Sequence, residues 1–473
     1  MMRKALLIFS LLLSVAAASA NPAETTEALD IGSRLELFVD EYLIDSREGV
    51  RLQLHEPQPE EVVLVADAPW EGNISAYFNV FRDGELYRMY YRGAHAPTPT
   101  TRGKYSVACY AESRDGIHWI KPEVGLFEAE GSKANNIIWN GDWRISSFVA
   151  FKDSNPDSAQ DARYKAFARH GPITDVLYAL KSPDGIHWSL MSADPVITKG
   201  AFDSQNLGFW DTVRSRYVAF TRMGRKGVRD IQFQTSQDFL NWTDPVFLEY
   251  PGAPEGHLYT NAILPYERAP HLLLGFPTRF LPETQQTEPI FMASRDGGRS
   301  FHRWPEAVIP LSAPRDRDGN RSNYMVWGLV QLPSRDHEYS VYAKEAYYRG
   351  PAVRIRRFTY RVDGFVSVHA GYFGGELLTK PLVFNGDNLV LNISTSAAGS
   401  IRLEIQDAKG NPLPGFTLEE SPLIWGDEIE HTVRWKRTHA KATSDKPLAR
   451  IAGKPVRLRF VMKDADLYSL RFR

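Results

Sequence analysis

Short runs of apolar or alternating residues recur along the chain from residue 70 onward, and turn-forming residues bound each run. Residues 105–110, 176–180 and 289–293 are examples, and an Asp-Gly pair follows shortly after each of them. Runs of this length, rich in branched and aromatic side chains, are typical of strands, and an Asp-Gly pair between two runs is typical of a hairpin. The pattern therefore predicts an all-β protein.

A seven-residue motif, Ser-x-Asp-Gly-Ile-His-Trp, marks a larger repeat. It occupies residues 113–119 and 182–188, and altered copies begin at Ser236, Ser294 and Arg361. Each copy lies in a unit of four strand-like runs, between the third run and the fourth. Self-similarity on this scale indicates a repeat architecture, and four strands per unit predict the blades of a propeller. We expect a five-bladed β-propeller over residues 70–373.

The two ends of the chain differ from the repeats. Two basic residues, an apolar run and Ala18-Ser19-Ala20 are typical of a secretory signal, so we expect a signal peptide over residues 1–20 and a secreted or periplasmic protein. Residues 21–69 are interpreted as an N-terminal extension that packs on the propeller. Short alternating runs without the repeat predict a C-terminal β-sandwich over residues 374–473, which we expect to brace the propeller rather than to bind glycan.

Composition narrows the functional classes. The 473 residues include 56 Lys and Arg against 57 Asp and Glu, a formal net charge of −1, which excludes a strongly basic nucleic-acid-binding protein. The single cysteine, Cys109, excludes a disulfide framework and a cysteine-rich metal site, and we expect neither metal nor cofactor. After the signal, no apolar run approaches the length of a membrane span.

The layout resembles the five-bladed propeller glycosidases of glycoside hydrolase families 32 and 43 and the related neoagarooligosaccharide hydrolases. The Ser-x-Asp-Gly-x-x-Trp copies resemble the Asp boxes of sialidases. This resemblance implies a glycosidase, but those families carry an aspartate at the mouth of the first blade, in motifs such as Asn-Asp-Pro. Residues 70–75 here read Trp-Glu-Gly-Asn-Ile-Ser, so the families' catalytic assignment is not carried over.

The order of strands in a blade predicts which loops carry chemistry. The inner strand starts at the upper face and the second strand ends there, while the turns between third and fourth strands lie on the lower face. We therefore interpret Asp115, Asp184, Asp238 and Asp296 as turn-forming residues. Functional groups are expected before each inner strand and after each second strand, because loops at one end of a rigid scaffold carry function.

One acidic residue precedes the inner strand in each of four blades, and blade five supplies one after its second strand. Converging carboxylates push their pKa values apart and supply an acid and a base. We expect Asp203 to be the acid and Glu71 or Asp142 the base or nucleophile. Glu255 and Glu345 are expected to adjust the pKa values of the other carboxylates or to bind sugar. The candidate catalytic residues are Glu71, Asp142, Asp203, Glu255 and Glu345.

A basic residue ends the second strand of every blade, with Lys344 in blade five where the others have arginine. Each cation could pair with a carboxylate of its own blade, or the set could bind a carboxylate, sulfate or polyol, because arginine forks suit such groups. We predict that at least one of the arginines contacts substrate. The candidate binding residues, with two histidines of the same face, are Arg92, Arg169, His170, Arg222, His257 and Arg279.

Together these features predict an exported, exo-acting glycoside hydrolase that cleaves a terminal sugar from a plant or algal saccharide by paired-carboxylate catalysis. The partner is a carbohydrate, anionic if the cations face it, with no nucleic acid and no membrane span. The alternative is a non-catalytic glycan-binding propeller, with aromatic platforms and arginines at the mouth but no carboxylate pair. A third reading, a lyase acting on uronates, requires a tyrosine or histidine base.

Overall fold

A computed structural model describes residues 28–96, 105–140, 145, 147–169, 175–310, 323–435 and 447–473. Within these residues the regular structure is almost entirely β, with two short 3₁₀ turns at Gln160–Ala162 and Pro447–Arg450. Five antiparallel sheets form a five-bladed β-propeller, which confirms the predicted fold class, and one ten-stranded sheet carries the C-terminal domain.

The first three blades each contain four strands, ordered from the propeller axis outward as they follow in the chain. Their bounds are Ala76–Asp83, Leu86–Ala94, Ser106–Ser113 and Ile137–Trp139 in blade one; Phe148–Lys152, Tyr164–Ala168, Tyr178–Ser182 and Ser189–Leu190 in blade two; and Leu207–Asp211, Arg216–Arg225, Val228–Ser236 and Val246–Phe247 in blade three.

Blade four adds a pair of short strands to the usual four, and blade five takes its outer strand from the N-terminal segment. Blade four consists of Ile263–Tyr266, Ala269–Gly275, Gln286–Ser294 and His302–Ala307, with His257–Thr260 and Thr278–Leu281 extending it. Blade five consists of Tyr324–Met325, Glu338–Glu345, Arg354–Arg361 and Gln58–Val65. The pairing of the last two strands closes the ring, because it ties the N-terminal segment to the last blade.

The ten-stranded sheet combines segments from both ends of the chain and has its own hydrophobic core. Two long strands, Leu389–Asp407 and Val456–Phe472, pair with each other along most of their length. The remaining strands are Leu29–Gly32, Glu36–Leu37, Ile44–Glu48, Val50–Leu54, Val366–Ala370, Gly375–Thr379, Leu382–Phe384 and Asp427–Thr432.

Hydrogen bonds at the axis join each blade to the next. Asn79 Nδ2 donates to Ala150 O at 2.7 Å, between blades one and two, and Trp327 Nε1 donates to Ile263 O at 2.8 Å, between blades five and four. Between blades five and one, Val80 N donates to Trp327 O at 2.8 Å. A Cβ at Gly328 would lie 2.1 Å from the carbonyl oxygen of Val80, so this seam requires glycine. The inner strands are thus hydrogen-bonded to one another around the axis.

The C-terminal domain docks on the lower face, where the Ser-x-Asp turns lie. Arg295, in the fourth turn, donates to both oxygens of Asp40 and to Glu36 Oε2 at 2.6 Å. Asp363, in the fifth turn, is fully buried and accepts a hydrogen bond from Ser469 Oγ at 2.8 Å. Both contacts lie on the face opposite the axial loops that the sequence predicts to carry function.

Candidate functional site

The Ser-x-Asp turns use their carboxylates locally. Asp115 Oδ1 accepts hydrogen bonds from the backbone N–H groups of Ile117 and His118 at 2.9 and 2.8 Å, and from Ser113 Oγ. The turns at Asp184 and Asp238 repeat this pattern, and Asp296 accepts from residues 299 and 300. The prediction that these four aspartates form turns is confirmed.

A cluster of aromatic side chains surrounds the upper end of the axis, which we call the axial mouth. Tyr77, Tyr259 and Tyr324 lie where inner or adjoining strands begin, and Tyr347 and Tyr348 follow the second strand of blade five. The Tyr259 and Tyr324 rings meet edge to face at 5.6 Å, and Tyr324 and Tyr347 do so at 5.3 Å. Tyr77 has a positive φ of 59° at a bulge, and its hydroxyl donates to the carbonyl of Asp203 at 2.8 Å.

Cations lie over the faces of these tyrosines. Arg92 stands 5.0 Å from the ring centre of Tyr77, and Arg222 stands 5.0 Å from that of Tyr259. Lys344 Nζ lies 4.0 Å from the ring centre of Tyr324. Such contacts hold the cation and ring in one arrangement. The mouth is therefore a preformed surface of aromatic faces and positive groups.

Asp203 supplies a carboxylate to this surface. It forms an ion pair with Arg222 in the same blade, and its side chain remains 63% exposed while that of Arg222 is 8% exposed. Arg222 Nη1 is buried and has no hydrogen-bond partner within the described chain. The guanidinium is thus anchored in the blade, and it presents the carboxylate to solvent at the mouth.

A small void lies on the axis beneath the tyrosines, with a volume of about 10 Å³. Its lining includes three buried polar side chains, Gln205, Thr260 and Lys344. Neither Gln205 Oε1 nor Thr260 Oγ1 has a hydrogen-bond partner among the described residues. Burial, and then the nearby charge of Arg92, hold the pKa of Lys344 well below its usual range. Polar groups in this state are uncommon in folded proteins and call for an explanation.

Two of the predicted catalytic carboxylates lie elsewhere, in buried ion pairs. Glu71 is fully buried in blade one, where Oε2 accepts from Lys121 Nζ at 2.6 Å and Oε1 from the Tyr91 hydroxyl. Glu345 is fully buried in blade five, and its Oε1 accepts from Arg356 Nε at 2.8 Å. The structure does not bring either group to the mouth cluster. Strand alternation explains Glu345, because its neighbour Lys344 is the residue that lines the axial void.

Glu255 lies away from the axis. Its side chain is 77% exposed and 3.8 Å from Lys226, on the rim of a cavity of about 390 Å³ between blades three and four. Asp142 and His170 lie outside the described residues.

The predicted binding residues also separate into two groups. Arg92 and Arg222 belong to the mouth, whereas Arg279 pairs with Glu288 of its own blade and donates to Pro305 O at 2.7 Å. Arg169 is half-buried at the end of its strand. His257 Nδ1 accepts from the backbone N–H of Arg229 at 3.2 Å, and Arg229 lies over Tyr259.

The sequence analysis did not predict that tyrosines line the mouth. It placed Lys344 at the end of a second strand but did not include it among the candidate site residues. Tyr77 and Tyr324 lie at the start of the inner strands of blades one and five, and Tyr259 lies in the short strand that precedes the inner strand of blade four. These are the same positions at which the sequence analysis looked for carboxylates. A search of those positions for any side chain able to contact a ligand would have found them.

Within the described residues, no group of three or more His, Cys, Asp or Glu side chains is arranged to hold a metal ion. The same residues include no helix with the length and apolar character of a membrane span.

No protein-family model and no curated protein sequence matches this chain. Among solved structures, it is similar to a beta-1,2-mannobiose phosphorylase from Listeria innocua, with 12% identity and a TM-score of 0.47 over 65% of this chain and 96% of that one. It is also similar to an N-acetylgalactosamine deacetylase from F. plautii, with 12% identity and a TM-score of 0.46 over 66% and 96%. A protein described as a glycoside hydrolase covers 87% of this chain and 100% of its own, at 9% identity and a TM-score of 0.42. At these identities and TM-scores the likeness carries no argument about function, and the resemblance to families 32 and 43 stays a prediction.

Proposed function

We propose that the protein is a glycoside hydrolase that binds a saccharide at the axial mouth and uses Asp203 as a working carboxylate. The observation that carries the proposal is the convergence of Asp203, Arg222 and the tyrosine faces at one end of the propeller axis. Sugar rings have apolar faces and hydroxyl edges, so they suit a surface that offers aromatic faces beside hydroxyl and guanidinium groups.

The ion pair with Arg222 refines the role of Asp203. A carboxylate paired with a guanidinium acts as an acceptor, and the pair must open before the carboxyl can donate a proton. This supports a base or nucleophile at Asp203 rather than the acid expected from the sequence. Among the five predicted carboxylates, Asp142 is then the candidate acid, because Glu71 and Glu345 are buried in ion pairs and Glu255 lies in a separate cavity.

The small size of the axial void supports an exo-acting enzyme. The void has a volume of about 10 Å³, so a saccharide that enters from the upper face cannot pass a sugar ring through it. Such a narrow end suits the terminus of a chain better than its interior. An exported enzyme, as the first 20 residues predict, would meet polymeric glycans outside the cytoplasm.

The experiment is a screen for reducing ends released from neutral, uronate-bearing and sulfated saccharides, followed by Asp203→Asn on the best substrate. We expect kcat/KM to fall at least 100-fold, with the melting temperature unchanged, because a half-exposed carboxylate contributes little to the fold. Asp244→Asn is the matched control: it removes another exposed, ion-paired aspartate, just before the outer strand of the same blade. Full activity of Asp203→Asn would overturn the assignment.

A non-catalytic glycan-binding propeller is the second candidate. It is favoured by the burial of Glu71 and Glu345, which leaves Asp203 without either of them as a partner at the mouth. This candidate predicts saccharide binding that Asp203→Asn weakens, with no product released by the wild type from any member of the screen.

A further inference from the structure

The axial void is lined by a lysine that has no carboxylate partner among the described residues. Lys344 is 2% exposed, its Nζ lies 4.0 and 3.4 Å from the ring centres of Tyr324 and Tyr347, and it forms no ion pair with a described carboxylate. The other charged group that acts on it is the cation of Arg92. Burial without a counterion disfavours the charged form of this amine. A ligand that supplies an anionic oxygen would stabilise the ammonium and so bind to it.

Two neutral groups face the same void and lack hydrogen-bond partners among the described residues. Thr260 is 4% exposed and its hydroxyl is free to donate, while Gln205 is 1% exposed and its Oε1 is free to accept. The amide of Gln205 is oriented by Nε2, which donates to Phe78 O at 3.1 Å, so its carbonyl oxygen must point elsewhere. Three blades therefore each direct one polar group toward a single small space.

The size of the void limits what it accepts. A volume of about 10 Å³ is close to the space that one oxygen atom needs, so a sugar ring cannot enter the void as a whole. Lys344 and Thr260 offer donors to an oxygen inside the void, and Gln205 offers an acceptor to a hydroxyl of the same ligand at the edge of the void. A sugar acid carries an anionic oxygen and a neighbouring hydroxyl on one ring, and thus fits this combination.

We propose that Lys344, Thr260 and Gln205 form a subsite that receives one anionic oxygen of an acidic saccharide, with Lys344 as its counterion. The inference rests on the proposed function, because it assumes that saccharides bind at the axial mouth. It deepens that function by assigning the substrate to the acidic sugars, whose charge comes from a carboxylate or a sulfate.

The first test uses Lys344→Met, which retains the length of the side chain and removes its charge. Binding of glucuronate, galacturonate and mannuronate is measured by calorimetry beside the matching neutral sugars, and galactose 6-sulfate is compared with galactose. We expect the wild type to bind at least one acid tenfold or more tightly than its neutral counterpart, and the variant to bind both within twofold. The acid that binds more tightly than its neutral counterpart, a uronate or the sulfated sugar, shows whether the charge comes from a carboxylate or a sulfate.

Lys463→Met is the matched control, because it removes an exposed lysine that lies 4.7 Å from the ring centre of Tyr372 in the C-terminal domain. It should retain the wild-type preference. Without ligand, Lys344→Met should melt at or above the wild-type temperature, since it removes a buried amine that has no ion-pair partner among the described residues. This measurement separates lost recognition from lost folding.

A second measurement does not depend on the identity of the sugar. Formate presents a carboxylate oxygen on a group small enough to approach the void, and chloride at equal ionic strength serves as the reference. Formate should raise the melting temperature of the wild type by several degrees more than that of Lys344→Met. Equal shifts in both proteins, together with equal acid preference in the first test, would overturn the subsite. A wild type that binds acids through Lys344 but releases no product would keep the subsite and reject the hydrolase.

Discussion

The two faces of the propeller use polar residues in opposite ways. On the lower face, the Ser-x-Asp turns and the docked C-terminal domain satisfy the carboxylates with several hydrogen bonds each. At the axial mouth, Gln205 Oε1 and Thr260 Oγ1 are buried without hydrogen-bond partners among the described residues, Lys344 is buried against tyrosine rings, and Asp203 is largely exposed. The repeated residues thus stabilise the fold. The residues that differ between blades form the candidate site.

The largest expected effect concerns the contact between the propeller and the C-terminal domain. Arg295→Met leaves the fully buried Glu36 without its 2.6 Å partner and Asp40 without a bidentate one. We expect a loss of about 3 kcal/mol in the free energy of unfolding, measured with denaturant, because the buried Glu36 would lose its 2.6 Å ion pair and retain only Arg34 and His271. Arg222→Met at the mouth is the control, with an expected loss of about 1 kcal/mol or less because its partner is exposed. Equal losses of unfolding free energy in the two variants would contradict the claim that polar residues stabilise the fold on the lower face and not at the mouth.

A smaller effect is expected within a single turn. Asp238→Ala removes the acceptor of the Leu240 and Asn241 N–H groups, at 2.8 and 2.7 Å. The free energy of unfolding should fall by about 1–3 kcal/mol, since backbone donors lose their partner. The Kd for saccharide should stay unchanged. A clear loss of affinity in a variant that remains folded would place function on the lower face.

The smallest expected effect is on acid stability. Partial burial raises the pKa of Asp184 and Asp238, but the hydrogen bonds from His187 and Asn241 outweigh it and lower both values from 3.8 to about 2. Because the folded pKa lies below the unfolded one, these groups stabilise the fold above about pH 4, and this contribution is lost as the pH falls toward 2. Unfolding curves between pH 5 and 2 should be flatter for the Asp184→Asn, Asp238→Asn double variant. Parallel curves for variant and wild type would contradict this account.

The lower face was predictable from the sequence because its motif repeats. Ser, Asp and Gly at fixed offsets specify a local turn, so Asp115 and its equivalents could be placed without knowledge of distant contacts. The predicted strands and five-blade count follow from the same repetition. The pairing of Gln58–Val65 with blade five was not predictable in this way, because it joins residues about 300 positions apart in the chain.

The mouth was only partly predictable, because its chemistry depends on contacts between blades. Asp203 and Arg222 stand at expected positions, and the structure brings them together. Glu71 was selected by the same rule, but its side chain turns inward to Lys121, which no local pattern indicates. Lys344 and Thr260 become neighbours through the closure of the ring, so no spacing in the sequence relates them.

The most direct test of the central claim is hydrogen–deuterium exchange with and without a saturating saccharide that the calorimetry has shown to bind. If the axial mouth is the binding site, protection should appear in residues 203–206, 257–262 and 324–348, while the turns at 182–188 and 236–242 exchange as before. Protection of the lower-face turns or of the C-terminal domain, with the mouth unchanged, would contradict the account.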